Sequence, residues 1–305
     1  MKTKHSSMAL IVFAVCMVSY SGPMVKGALN AGATPLSVAL LRMLGAAVLL
    51  LPFEVRQCVR KRLPFRASRG EWLLTTLSAA FLAAHYLTWI TSLTGASTFA
   101  SVALVCTQPL FVALFSYLLF HEKTPRRAVP GALLALLGAV TIALAGMMGQ
   151  QTRAAAGEAL KSNLLALAGA VFMAAHWLTG RRIRQTLAAE IYTPALYLVT
   201  AILLTACLPF GGGFHMPAGA LPYMAGLIIG STLLGHAVFA YALSGVSANV
   251  VSFALLGEPV GAMVFSMLLF GEIPSWPVML GGALTLAGLG LYLAAAGKVD
   301  GSAAG

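Results

Sequence analysis

Charge is scarce in this sequence. Of 305 residues only 9% are charged, eight acidic side chains against 19 basic ones, where a soluble domain carries about 25%. So few charges cannot clothe a water-facing surface, which excludes an ordinary soluble fold. Hydrophobic residues at 59% and a mean hydropathy of +0.90 point to the bilayer instead. Cysteine is also sparse: Cys16, Cys58, Cys106 and Cys207 fall in no metal or redox spacing. Cys58 sits between Arg56 and Arg60 in an expected loop, and an incidental reduced thiol is its simplest reading. No H-E-x-x-H motif or nucleophile arrangement occurs. No A-x-A-like cleavage site follows the apolar N-terminal stretch, and the roughly 10-residue alternating segments of a membrane β-barrel are missing. Enzyme, cleaved signal peptide and barrel are each disfavoured on these grounds.

Apolar runs take up most of the rest. A helix needs about 20 apolar residues to cross a bilayer, and ten such runs are separated by charged or Pro/Gly-rich breaks: 8–25, 36–53, 73–93, 97–119, 129–148, 162–179, 191–209, 221–243, 249–271 and 275–295. With the N-terminus inside, 15 of the 19 basic residues fall on the inner side, Lys26, Arg153 and Lys161 fall outside, and Arg42 lies within a span. The positive-inside rule then puts both termini in the cytoplasm. The net charge of +11 thus reports topology and an anionic inner leaflet as partner, and not nucleic acid.

The chain is also duplicated. CTQPLFVALFSYLLFHEKTP (106–125) and LGEPVGAMVFSMLLFGEIPS (256–275) match at a constant offset of 150, pairing Pro109 with Pro259, Ser116 with Ser266 and Glu122 with Glu272. The register continues through Gly131 with Gly281 and Gly138 with Gly288. Two five-span halves follow, 1–150 and 157–295, with 296–305 as a short cytoplasmic tail. Five is odd, so the second half enters the membrane inverted, an arrangement that belongs to transporters with a midplane site between the halves.

A proline followed thirteen residues later by glutamate, once in each half, with an arginine in SVALLRMLGAAVLLLPF (37–53) and glycine-bearing last spans (131–144 and 281–293), resembles the EamA-type members of the drug/metabolite transporter superfamily. The resemblance implies an all-α polytopic membrane protein of ten transmembrane helices in two inverted five-helix repeats. It also implies a central cavity lined mainly by spans 1, 3, 4, 6, 8 and 9, and a secondary carrier that exports amino acids or similar small metabolites.

A charge at the centre of a span costs roughly 2.5–3.5 kcal/mol on insertion scales, so each one needs a reason. Glu258 lies near the midplane with Pro259 beside it, and the proline ring displaces the carbonyl of Leu255. Gln108, before Pro109, is its uncharged repeat mate. These two are the expected substrate-binding centre, with Pro109 and Pro259 as helix kinks. Arg42 is expected to anchor the fold, with Glu258 or backbone carbonyls as partners; snorkelling outward or receiving a substrate carboxylate are the other readings. Glu122 and Glu272 are read as helix-end or loop partners, Glu122 beside Lys123, Arg126 and Arg127.

Two octapeptides, FLAAHYLT (81–88) and FMAAHWLT (172–179), place His85 and His176 in nearly the same setting. They are not repeat mates: the register pairs His85 with His236, and His176 with Tyr20. Spans three and six run antiparallel, and the histidines sit at two depths of one expected cavity, which disfavours a three-histidine metal site. His85, His176, His236, Tyr20, Trp89 and Tyr241 join Glu258 and Gln108 as substrate-binding candidates, and Glu258, His236 and His85 as proton-coupling candidates. A polar hinge where helices pack is the alternative for the histidines. No cofactor or metal is expected. The favoured function is a cell-inner-membrane exporter working by alternating access with proton antiport as a candidate drive; an importer of a metabolite or vitamin, an intramembrane enzyme and a channel stay open.

Overall fold

The computed structural model describes residues 4–62, 67–122, 124–148, 152–235 and 255–300. His236, Tyr241 and Lys123 lie outside the described residues. The helices are α1 (Lys4–Ser19), α2 (Ser21–Asn30), α3 (Pro35–Lys61), α4 (Arg69–Ser92), α5 (Thr98–Val105), α6 (Gln108–Phe120), α7 (Val129–Met148), α8 (Arg153–Ile183), α9 (Ala189–Ala206), α10 (Leu221–Ala225) running into a π-helical segment (Gly226–Gly235), α11 (Glu258–Phe270) and α12 (Trp276–Asp300). Eight of the spans are long and apolar enough to cross a membrane, and Ala218–Leu234 and Glu258–Phe270 supply two shorter apolar helices. Leu118, Leu119 and their repeat mates Leu268 and Leu269 are exposed, an outward apolar surface suited to lipid and not to water.

Helix limits follow capping chemistry more than hydropathy. The sixth span was expected from 162, but α8 starts at Arg153, where the Thr152 side chain accepts from Ala155 N and Glu158 pairs with Lys161. A charged helical turn of good helix formers is invisible to an apolar window. Span three begins at Arg69 behind a reciprocal capping box of Ser68 and Glu71. Span two runs on through Pro52 to Lys61, which buries Cys58 in a helix and not in the expected loop.

The most extensive helix pair joins the last spans of the two halves, α7 and α12. A Cβ built on Gly138 meets Gly281 O at 2.5 Å and clashes with Thr285 N; one built on Gly288 meets Gly131 O at 2.7 Å and clashes with Ala135 N. Each contact is the other shifted by 150. Ala135 and Thr285, themselves repeat mates, face each other at the crossing, where Thr285 Oγ1 donates to Gly281 O at 2.9 Å and to Ala135 O at 3.5 Å. Antiparallel helices with swapped equivalents are the mark of a two-fold axis. The duplication seen in the sequence is therefore an inverted repeat whose halves meet across a glycine seam.

Candidate functional site

Three spans are broken, and a proline sets each break. A proline ring clashes with the carbonyl four residues earlier and offers no amide of its own. Pro23, Pro109 and Pro259 thus act on Ser19, Val105 and Leu255. The helix stops at those three positions: α1 ends at Ser19, α5 at Val105, and helical backbone at Leu255 gives way to turns at Leu256 and Gly257. Each helix is interrupted for only one or two residues that keep right-handed angles, such as Tyr20 at φ −69°, ψ −15° and Gly257 at φ −73°, ψ −16°. Pro109 and Pro259 lie in the first turns of the helices that follow. Pro52 and Pro194 are carried without a break in α3 and α9.

The breaks converge. A Cβ on Gly22 would touch Thr98 and Val102 of α5 at 3.0 Å and Ala262 of α11 at 3.9 Å, while Gly261 packs on Ser19. Tyr20, in the first break, meets Phe265 edge to face at 5.2 Å and lies against Gly226 and Gly230 of the π-helical segment. Gln108 and Glu258 each open their helix, half-buried. The positive end of α11 favours a carboxylate there. Glu258 makes no ion pair among the described residues; the Arg42 guanidinium is the charge that bears on it, and Glu258 in turn bears on Cys106 in the second break.

Arg42 does not take the partners expected of it. Only 4% exposed, it donates through Nη1 to Ser21 Oγ at 3.0 Å and lies over the rings of Tyr86 at 4.8 Å and Trp89 at 5.7 Å. Arg42 Nε and Trp89 Nε1 are both buried without a hydrogen-bond partner among the described residues. Trp89 also stacks on His85, with centroids 5.9 Å apart and an interplanar angle of 11°.

The two octapeptides pack directly on one another, α4 against α8. His85 Nδ1 donates to Gly169 O at 2.9 Å, and His176 Nδ1 donates to Ser78 O at 3.2 Å with Ser78 Oγ at 2.9 Å. Ser78 and Gly169 each precede a histidine by seven residues, so the second bond is the first under a shift of 91. Ser78 Oγ also pairs with the Tyr192 hydroxyl at 2.9 Å. Thr88 and Thr179 repeat the symmetry by donating to Ala84 O and Ala175 O, each at 2.8 Å. Both imidazoles thus tie one helix to the backbone of the other and do not stand free.

Beyond the centre, repeat mates close the two ends. His121 and Gly271 stop α6 and α11 in the left-handed region, at φ 56° and 65°. The carboxylates that follow find different partners. Glu122 takes a bidentate pair from Arg181 at 2.8 and 3.1 Å, not the expected neighbours, and this guanidinium holds the Glu122 carboxyl below the usual range. Glu272 accepts from Thr98 N at 2.6 Å and Thr98 Oγ1 at 2.7 Å, at the start of α5. Lys26, expected in a loop, lies in α2 and donates to Leu93 O at 2.7 Å and Ala96 O at 3.3 Å, with Glu272 as the carboxylate that bears on it. Replacing Glu272 with alanine should cost about 1.5–3 kcal/mol, the range for hydrogen bonds to a charged group, and Glu122→Ala at most about 1 kcal/mol, as for exposed pairs. Thermal denaturation in detergent checks the order; a larger loss at Glu122 refutes it.

A crevice of about 330 Å³ lies elsewhere, between Thr34, Leu36, Leu87, Thr91, Cys207 and Phe210, and holds none of the predicted site residues. Sequence reasoning passed over Pro23, Ser21, Ser78, Tyr192 and Arg181. A proline three residues past Tyr20 was the available signal for the first of these.

The model of the EamA-like transporter family matches residues 5–144 and 160–294, once in each half. The chain belongs to the EamA-like transporter family. Among solved structures, one described as "Crystal structure of protein" superimposes with a TM-score of 0.62 at 20% identity, over 96% of this chain and 99% of that one; the likeness shows the fold alone. No curated protein matches the sequence. Membership makes this EamA-like protein a multi-pass transporter of a small molecule built from two copies of one unit, and the glycine seam is where those copies meet.

Proposed function

We propose that this EamA-like protein is a secondary transporter of the cell inner membrane that exports amino acids or similar small metabolites by alternating access, driven by proton antiport. The observation that supports the reading is the packing of the interruption at Tyr20 and of α5 against α11, the helix that Glu258 opens. Discontinuous helices whose half-helix ends meet in the middle of the bilayer are how carriers place polar groups around cargo. Glu258, with no ion pair among the described residues and at a helix start, is the group to meet either a substrate ammonium or a proton. Gln108 keeps the opposite half neutral, and Tyr20 lines the first break. His85 and His176 we assign to scaffold, because their rings are committed across α4 and α8. The basic face that carries Lys61, Arg126 and Arg181 is taken as cytoplasmic by the positive-inside rule, against anionic lipid.

The test is uptake of radiolabelled amino acids into inside-out vesicles under an imposed pH gradient. Glu258→Gln should lower gradient-driven uptake about tenfold or more, which is about 1.4 kcal/mol of barrier, while the protein still folds and reaches the membrane. Unchanged uptake in that variant sinks the role of Glu258. Uptake only in right-side-out vesicles would turn the exporter into an importer of the same fold.

A further inference from the structure

We infer that Arg42 and Trp89 form a receptor for a carboxylate group of the transported molecule, opposite Glu258, so that the substrate class is zwitterionic: the carboxylate rests on the two unpartnered donors and the ammonium faces Glu258. This deepens the transport reading above and rests on it.

Start with the unpaired donors. A guanidinium offers five N–H groups in a rigid fork that matches a planar carboxylate. Here only Nη1 has a described bond, to Ser21 Oγ at 3.0 Å, and Nε is buried with no acceptor among the described residues. Leaving a buried charged group short of acceptors is costly, and native interiors rarely tolerate it without a reason. The indole beside it repeats the omission: Trp89 is 5% exposed and its Nε1 also lacks an acceptor. The orphan donors sit on neighbouring side chains, since the guanidinium lies 5.7 Å from that indole ring.

Aromatic faces at Tyr86 and Trp89 stabilise the cation through its flat side and use none of its hydrogen bonds. The edge of the fork at Nε keeps no hydrogen bond among the described residues. His85, stacked on Trp89 and tied to Gly169 O, fixes the indole in place. Pre-organised donors of this kind bind without spending freedom on ordering themselves.

Glu258 supplies the complementary half. It is a half-buried carboxylate on which Arg42 bears, yet no ion pair joins them. Ser21 links the two groups through the fold: it bonds Arg42, and its neighbour Gly22 approaches Ala262, one turn after Glu258. Two opposite charges held apart in a medium of low dielectric are each costly alone, and a zwitterion set between them satisfies both. A neutral molecule would leave both unpaired, and a bare anion or cation would leave one.

The experiment uses the full chain in detergent and reads binding by thermal shift. Probes are the twenty standard amino acids, their methyl esters and the matching carboxylic acids without the amino group. Esterification should weaken binding about tenfold or more, since it removes a charge-assisted bidentate contact. Trp89→Phe keeps the ring and deletes only the N–H. It should weaken binding of free acids about tenfold, leave the esters unchanged, and leave the ligand-free protein as stable as before, because an unsatisfied donor has been removed. Arg42→Lys, which keeps the charge and loses the fork, should fail to restore what Arg42→Gln loses. Esters that bind as well as acids, free acids that bind Trp89→Phe as tightly as wild type, or no response to any acid would each overturn the inference. Binding of esters or amines without acids would leave the transport reading standing alone; acid binding through Trp89 with no vesicle uptake would leave the receptor and remove the transport reading.

Discussion

Gly288→Leu should leave almost no folded protein in the membrane, and Gly138→Leu should do the same. The Cβ of any residue at these positions meets backbone of the partner helix: Ala135 N and Gly131 O for one, Thr285 N and Gly281 O for the other. Backbone cannot rotate aside as a side chain can, so α7 and α12 must separate along their whole contact. Helices in lipid are held by close van der Waals packing and not by the hydrophobic effect, and separation forfeits that packing. Overpacking a soluble core costs about 1–3 kcal/mol and occasionally more; with backbone as the obstacle we expect about 3 kcal/mol or more per leucine. Gly157→Ala is the control, because a Cβ there meets nothing within 4 Å, and it should be neutral or stabilising by up to about 1 kcal/mol.

Symmetry sharpens the expectation. Gly138→Ala and Gly288→Ala push against equivalent atoms of opposite halves, so their costs should agree within about 0.5 kcal/mol. Their double variant should cost less than the sum, since the helices need separate only once and neighbouring sites couple. Unfolding followed by tryptophan fluorescence in detergent measures all three. Two costs that differ by more than about 2 kcal/mol would show that the seam is not self-complementary.

That seam also shows how far the sequence could be read. The offset of 150 is visible as matched letters, and it places Gly131, Gly138, Gly281 and Gly288 in advance; what the letters omit is that matched residues swap partners across the axis. The breaks at Pro109 and Pro259 were legible because a proline acts on a carbonyl at a fixed distance. The helix-end place of Glu122 was legible but its partner was not, because Arg181 comes from a helix 59 residues away and sequence neighbours carrying charge were the only visible candidates. The setting of Arg42 was hidden for the opposite reason. Its surroundings are aromatic faces and one serine hydroxyl, and no charge pattern announces them. The likeness of the octapeptides was visible at once, but its meaning depends on which helices touch.

His85→Ala should cost about 3 kcal/mol of stability, combining a lost hydrogen bond to Gly169 O, a cavity beside the Trp89 ring and an unpaired buried carbonyl. His176→Ala should cost less, about 2 kcal/mol, because its ring is only half-buried and Ser78 keeps Tyr192 as a partner. The reason lies in the antiparallel geometry. Two helices that run in opposite directions and carry the same local sequence can satisfy each other twice with one motif, each histidine reaching the carbonyl seven residues before its counterpart. Glutamine can still offer an N–H at these positions, so His85→Gln should recover roughly half of the loss at His85. Denaturation curves would check the magnitudes, and a pH profile of transport separates this clasp from a proton relay. In a clasp the profile of His85→Gln keeps the wild-type shape, since the proposed mechanism gives the proton to Glu258 and not to His85. A profile that flattens in His85→Gln while stability is retained would return that histidine to the proton path.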